Sequence, residues 1–367
     1  MHVSRVLLLG SYAPSLVLFR EPLLKALVQA GHEVIASAPD EDPDVPQAME
    51  ALGVQWHPIE FERNRVQPVR DLLFVWRLGK LLKELQPDRL LCYTIKPNIY
   101  GGWAARSEGV PSAAMVTGLG TMFMNPSMRC TIAKRMLRRA CRHHDHVFFQ
   151  NKDDRDDLVN AGVVEDESKI VMTAGSGVDL NAFPVQPLPD QPIFLMLARL
   201  LESKGVREYL EAASLLKRRC PDAIIRLGGM QDPGSGGIPM DEIQPMVDSG
   251  TIEYLGHVQD VQKALGECSV YVLPSWHEGT PRSVLEAMST GRAIITTNAR
   301  GCRETVDDGV NGLLVPLKDS ATLAEAMEFL TKDAVRRAAM GQASRQMAES
   351  RFDAREVAQV IMKALGL

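Results

Sequence analysis

The chain has 367 residues, 45% of them hydrophobic and 24% charged, with a net charge of −5; these proportions fit a soluble globular protein and exclude disordered, collagen-like and low-complexity classes. Its length exceeds what one core usually supports, which predicts two domains, and no apolar run approaches the ~20 residues that cross a bilayer. Residues 1–150 carry 18 Lys+Arg against 14 Asp+Glu, leaving 23 against 32 of the total 41 and 46 for the remainder, so an acidic whole argues against a dedicated nucleic-acid binder while a basic first half suits lipid headgroups or phosphorylated ligands.

The first apolar run, Val6–Leu9, is too short for a signal-peptide core and reads as a strand, which keeps the chain in the cytosol. Strands are predicted at Val6–Gly10, Glu33–Ala38, Arg89–Tyr93, Ala113–Val116 and Val147–Gln150, alternating with helices at Leu16–Ala30, Pro68–Leu85, Gly101–Glu108 and Met128–Cys141. After the Pro-rich stretch Asn181–Pro192, read as a linker, the rhythm resumes. Strands follow at Ile193–Ala198, Ile224–Gly228, Ile252–Leu255, Val270–Pro274 and Ala293–Thr296, with helices at Gly205–Lys217, Val261–Gly266, Arg282–Thr290 and Ala321–Leu330. Such alternation predicts an α/β chain of two Rossmann-like domains with parallel sheets, 1–183 and 184–349. Residues 350–367 then form an amphipathic helix, with Phe352, Val357, Val360, Ile361 and Leu365 near one face, packing across the domains. The six cysteines are scattered without a CxxC pair, as free thiols in a reducing compartment would be.

In open α/β sheets ligands bind beyond the carboxyl ends of the strands, so residues just after strands carry the argument. Arg199 and Lys204 follow one strand and precede Gly205, a junction that suits an anionic diphosphate; alone they read more readily as solvated surface charges. In EGTPRSVLE, Glu278 and Glu286 stand eight residues apart across a strand–Gly–Thr–Pro–helix turn. Carboxylates there accept hydrogen bonds from vicinal hydroxyls, and the backbone N–H groups of Gly279, Thr280 and the helix start hold a phosphate; the plainer alternative is a helix start with favourable acids. The stretch MRCTIAKRMLRRACR brings six cations, Arg129, Lys134, Arg135, Arg138, Arg139 and Arg142, onto an amphipathic helix that suits a membrane surface or an ordinary core-facing helix. Without interleaved aromatics it is not a nucleic-acid surface. His143-His144-Asp145-His146 reads as a polar turn, because adjacent histidines on a helix end do not converge on one metal ion.

The run EGTPRSVLEAMSTGRAIITTNARGCRETVDDGVNGLLVP and the segment ARLLESKGVREYLEAASLL resemble the donor-binding half of the retaining glycosyltransferases of family four. That resemblance implies a GT-B fold, two Rossmann-like domains facing a central nucleotide-sugar cleft. It implies that Arg199 and Lys204 bind the donor diphosphate, that Glu278 meets hydroxyls of the transferred sugar, and that these three form the catalytic set. Gly279 and Thr280 would contact the sugar or the β-phosphate through their backbone, and Glu286 the ribose. Gly10, at the end of the first strand, corresponds to the family's glycine-rich donor loop, although only one glycine of the usual pair is present.

YTIKPNIYGGWAARSEGVPSAAMVTGLGTMF resembles the subgroup that extends polyprenyl-diphosphate-linked sugars in surface polysaccharide and protein glycosylation, N-acetylgalactosaminyltransferases acting on diphospho-undecaprenol-linked bacillosamine among them. Where many members have a histidine, this chain reads Thr117-Gly118-Leu119-Gly120. The subgroup implies a UDP-N-acetylhexosamine donor, a polyprenyl-diphosphate-linked acceptor, no metal or other cofactor, and a cytoplasmic enzyme peripheral to the inner face of the plasma membrane. Lys96 and Arg20, with Arg63 and Arg65, are candidates for the acceptor phosphates, against ordinary surface cations. A GDP-mannose or other hexose donor and a non-catalytic nucleotide-sugar-binding scaffold stay open. An epimerase is disfavoured by the paired Arg…Lys-Gly and Glu–x7–Glu motifs, and a dehydrogenase by the missing GxGxxG after the first strand.

Overall fold

The computed structural model describes residues 3–39, 42–62, 67–119, 127–232, 234 and 236–367; the candidates Arg63 and Arg65, and Gly120, lie outside the described residues. The chain divides into two compact units, Met1–Ser176 with Ala354–Leu367, and Gly177–Asp353.

The first unit runs β1 (Arg5–Leu9), α1 (Pro14–Gln29), β2 (Glu33–Ser37), α2 (Asp44–Ala51), β3 (Gln55–Trp56), α3 (Pro68–Leu85), β4 (Arg89–Tyr93), α4 (Ile95–Glu108), β5 (Ser112–Val116), α5 (Met128–Cys141), β6 (His146–Phe149), α6 (Lys152–Asn160) and β7 (Ile170–Met172). Its parallel sheet has the order β3-β2-β1-β4-β5-β6-β7. Leu8 of β1 sits in register with Ala36 on one side and Leu91 on the other. Both faces are covered, which explains why RVLLL and HVFF are nearly continuous apolar runs rather than alternating ones. Leu7 and Leu9 face a core shared with Phe74, Leu78 and Leu82 of α3 and Leu137 of α5, while Val6 and Leu8 face one shared with Leu16, Leu24 and Leu27 of α1.

Helix α4 starts six residues before its predicted Gly101. Pro97 lies in its first turn, where a missing N–H breaks no helical bond. Gly101 and Gly102 are packing glycines: a Cβ there would collide with the Cys92 thiol and the His144 ring.

The second unit comprises β8 (Ile193–Leu197), α7 (Val206–Arg219), β9 (Ile224–Gly228), α8 (Met240–Asp248), β10 (Glu253–Gly256), α9 (Val261–Gly266), β11 (Val270–Leu273), α10 (Arg282–Ser289), β12 (Ala293–Thr297), β13 (Gly312–Val315), α11 (Ser320–Lys332) and α12 (Ala334–Arg351). Its parallel sheet is ordered β10-β9-β8-β11-β12-β13.

Two boundaries depart from expectation. The Pro-rich stretch is fastened to the second unit instead of linking the two. The buried Arg292 guanidinium donates to the carbonyls of Gln186 (2.9 Å) and Pro187 (3.1 Å), and Ser289 Oγ donates to the Phe183 carbonyl (2.6 Å). The terminal helix also starts later, as α13 (Ala354–Leu365), because α12 runs on through Arg351. It belongs to the first unit and packs on α1, burying Val357, Ala358, Ile361 and Leu365, while Val360 points outward.

Candidate active site

In each sheet the strand order reverses once, between β1 and β4 in the first unit and between β8 and β11 in the second. Loops beyond such a switch point diverge and leave a crevice. Arg199 and Lys204 follow β8, and Glu278 and Glu286 follow β11, the two strands that flank the second switch point.

Two glycines let these loops meet. Gly205 (φ +73°), at the start of α7, lies so close to the end of β11 that a Cβ would overlap the Pro274 carbonyl. Gly301 (φ +75°) passes against the backbone of Glu278 and Gly279 in the same way. Further ties hold the loops: Ser275 Oγ donates to the Ser203 carbonyl (3.0 Å), the Trp276 N–H to the same carbonyl (2.9 Å), and the Tyr271 hydroxyl to the Leu197 carbonyl (2.9 Å). Lys204 Nζ consequently forms an ion pair with Glu278 Oε1, with side chains 22% and 15% exposed. At that depth the pair is only weakly screened by solvent.

Glu286 is 8% exposed on the first turns of α10, where Arg282 Nε lies 2.7 Å from its Oε1. Burial raises its pKa above the usual carboxylate value, and the Arg282 charge opposes that shift. A buried acceptor of this kind is suited to a pair of hydroxyls. Arg199 stands apart from the other three. Its side chain is 67% exposed and bridges to Asp232 Oδ2 at 2.9 Å, an acidic partner that the sequence reading did not single out. Sequence reading also missed Trp276 beside the site. Its indole N–H donates to Glu208 (2.9 Å), and Lys318 Nζ lies 3.8 Å from the ring centroid. An aromatic directly after a strand end was the available signal. Gly279 and Thr280 lie in the loop between β11 and α10.

The first unit's crevice is occupied by its own side chains. Tyr93 ends β4, and its phenol fills the place of a Gly10 Cβ, so glycine at position 10 is a packing requirement there. The Tyr93 hydroxyl shares a 2.9 Å hydrogen bond with Ser15 Oγ, and Thr94 Oγ1 donates to Ser11 Oγ at 2.7 Å. Thr94 itself has φ +70°, a strained conformation at the start of α4. Arg20 is 4% exposed, with its guanidinium 4.9 Å from the Tyr93 centroid.

Lys96 is likewise engaged: its Nζ lies 2.8 Å from Asp71 Oδ1, with side chains 13% and 5% exposed. Asp71 also accepts from the Tyr100 hydroxyl (3.0 Å) and the Gln67 N–H (3.1 Å), so the ion pair clamps the start of α3 to α4. Burial and the Asp71 carboxylate hold the Tyr100 phenol well above its usual pKa. Both acceptor candidates thus make contacts within the first unit. The histidine cluster separates too. His144 is fully buried, hydrogen-bonded to Ser112 Oγ (2.9 Å) and the Asn98 carbonyl (2.8 Å), while His143 lies against Arg106.

Two family models match consecutive parts of the chain, "Glycosyl transferase 4-like domain" over residues 20–175 and "Glycosyl transferases group 1" over residues 191–333. The chain belongs to this glycosyltransferase family. The enzyme is similar to the N,N'-diacetylbacillosaminyl-diphospho-undecaprenol alpha-1,3-N-acetylgalactosaminyltransferase of Campylobacter jejuni, 28% identical over 348 residues and 90% of each chain. It is also similar to the UDP-Gal:alpha-D-GlcNAc-diphosphoundecaprenol alpha-1,3-galactosyltransferase of Escherichia coli, 26% identical over 74% of this chain and 73% of that one. Among solved structures, Anabaena HepE in complex with UDP and glucose superposes with a TM-score of 0.82 over 99% of both chains at 18% identity. Two parallel sheets flanked by helices are the GT-B architecture, and the glycosyltransferase has it.

Proposed function

We propose that this glycosyltransferase is a retaining enzyme that moves an N-acetylhexosamine, N-acetylgalactosamine foremost, from its UDP-sugar to a polyprenyl-diphosphate-linked sugar. It works at the inner face of the membrane in surface-polysaccharide or glycoprotein glycan assembly. The Lys204–Glu278 pair and buried Glu286, all following the strands that flank the switch point of the second sheet, carry the reading. The likeness to the Campylobacter enzyme supports the donor and acceptor classes.

Donor binding divides the pair between two partners: the Lys204 ammonium takes the diphosphate and the Glu278 carboxylate takes hydroxyls of the sugar. Glu286 accepts from the ribose hydroxyls, and the first N–H groups of α10 face phosphate oxygens. Arg199 reaches the diphosphate by exchanging Asp232 for it. As the C1–O bond to the β-phosphate breaks, negative charge collects on that phosphate, and cations and N–H donors already in position lower the barrier. The acceptor oxygen bonds to C1 on the face the phosphate leaves, and its proton passes to the departing phosphate oxygen. These cations fill the role a divalent ion has in other transferases, so chelation leaves turnover unchanged.

The test is release of nucleoside diphosphate from a panel of UDP- and GDP-sugars, with and without a polyprenyl-diphosphate-N-acetylhexosamine. Acceptor-dependent release from one UDP-N-acetylhexosamine supports the reading. Use of UDP-galactose or GDP-mannose replaces the donor, and silence from a folded protein favours a non-catalytic scaffold.

A further inference from the structure

Helix α3 is apolar on two faces. Phe74, Leu78 and Leu82 point into the core, as expected for a helix covering a sheet. Val69, Leu72, Leu73 and Trp76 form a second stripe at the i, i+3, i+4, i+7 spacing, and they are 83%, 71%, 42% and 66% exposed. No other helix among the described residues leaves four large apolar side chains in solvent. A contiguous exposed patch of this kind marks a surface that is covered in use.

Chemistry beside the stripe indicates what covers it. The stripe borders a groove of about 770 Å³ between α3 and α4, with the exposed Lys80 and Lys83 at its rim. Lys83 lies 3.3 Å from Glu108, which offsets part of its charge. On the other side of α4 a cavity of about 450 Å³ is lined by Trp103, Arg106, Ser107, Arg139 and His143. Ser107 of α4 lines both spaces. Arg138 of α5 and Arg142 just after it are both bound to Glu165, whereas Arg106 and Arg139 are exposed and have no carboxylate partner among the described residues. Burial and the neighbouring arginines lower the pKa of His143, so it adds no charge at neutral pH and the two arginines define the site. Exposed Met128 (81%) and Ile132 (49%) extend the apolar character onto α5.

We propose that the outer face of α3, α4 and α5 is a docking site for an anionic phospholipid bilayer. The α3 stripe and the α3–α4 groove take acyl chain, and the Arg106–Arg139 cavity takes a phosphate headgroup. Apolar side chains inserted among acyl chains and arginines at the depth of the phosphates are the arrangement an interfacial protein uses. The neighbouring surface suits neither a soluble protein nor a polynucleotide as well: cations flank the stripe, but α5 offers no aromatic row for bases. This deepens the peripheral-membrane reading above, and its test is independent of the donor and acceptor.

The full chain is sedimented with vesicles of phosphatidylcholine alone and of phosphatidylcholine mixed with phosphatidylglycerol, alongside Leu72→Glu/Trp76→Glu and Arg106→Gln/Arg139→Gln variants of verified fold. The wild type binds the mixed vesicles. The stripe variant loses more than about tenfold in partitioning to either vesicle, and the arginine variant loses the preference for the anionic lipid while keeping residual binding. Quenching of Trp76 fluorescence by brominated acyl chains places the stripe in the bilayer. Absence of wild-type binding, or equal binding by all three proteins, overturns the proposal. So does a wild-type dimer that the stripe variant dissolves, because the face is then an interface between copies. Transfer to a water-soluble short-chain acceptor is unchanged in the stripe variant; vesicle binding without any transfer leaves docking standing and removes the proposed activity instead.

Discussion

Replacing Asp71 by alanine separates a structural role for Lys96 from an acceptor-binding one. Asp71 accepts three hydrogen bonds, from Lys96, Tyr100 and the Gln67 backbone, and only 5% of its side chain is exposed. Its removal leaves the Lys96 ammonium nearly enclosed without its counter-charge, which costs about 3 to 5 kcal/mol in a fully buried pair. Because the Lys96 side chain keeps 13% exposure, the lower end, about 3 kcal/mol, is expected. Lys96→Met leaves Asp71 two of its three donors and costs about 1 to 2 kcal/mol. The double variant Asp71→Leu/Lys96→Met recovers most of the loss, with a coupling energy of about 1 to 3 kcal/mol. Urea unfolding of the first unit, followed by Trp56, Trp76 and Trp103, measures all three. Wild-type stability in Asp71→Ala would refute the clamp, and a raised acceptor KM in Lys96→Met at unchanged stability would return Lys96 to the acceptor phosphates.

Lys204→Ala and Glu278→Ala each lower kcat by about 10²- to 10³-fold, and because the donor divides the two between its diphosphate and its sugar their losses add in the double variant; a double variant no slower than either single one in steady-state kinetics would show instead that they act as a unit. Glu286→Ala raises donor KM more than it lowers kcat. In the wild type, donor affinity measured by calorimetry weakens as pH falls through the raised pKa of Glu286, since only the carboxylate accepts from two hydroxyls. His144 has its pKa lowered by burial from 6.5 to about 4. The unfolded chain therefore takes up a proton before the folded one, and the first unit loses stability between pH 6.5 and 4, in total on the order of 3 kcal/mol. His144→Gln lowers stability at neutral pH and flattens that pH dependence; an unchanged slope in urea melts would show that His144 is not its source.

Strand positions were legible because buried parallel strands are apolar throughout: Arg89–Tyr93 and Ile224–Gly228 match to the residue. The short edge strands Gln55–Trp56 and Ile170–Met172 were not, since two or three residues carry no periodicity. Helices α6 and α8 were hidden by composition, KDDRDDLVN being mostly charged and MDEIQPMVD containing a proline. At the candidate site, the spacing of Glu278, Glu286 and the Arg…Lys-Gly segment placed these residues after two strands, and the structure has them after β8 and β11. The partners were not readable: Lys204 with Glu278, Arg199 with Asp232 and Lys96 with Asp71 join residues 74, 33 and 25 positions apart, a pairing set by loop geometry. Lys96 illustrates the consequence: a cation after a strand reads the same whether it faces a ligand or a carboxylate of its own fold.

The return of α13 to the first unit has a consequence for biosynthesis. The apolar face of α1 is completed by Val357, Ile361 and Leu365, which leave the ribosome only after the 177 residues of the intervening unit, Gly177–Asp353. At about 5 to 20 residues per second, the nascent first unit waits roughly 10 to 35 s with that surface uncovered. During this interval the unit presents uncovered apolar surface that favours aggregation, and loss of the last twelve or so residues through an early stop codon would make that state permanent while leaving every candidate catalytic side chain in the chain.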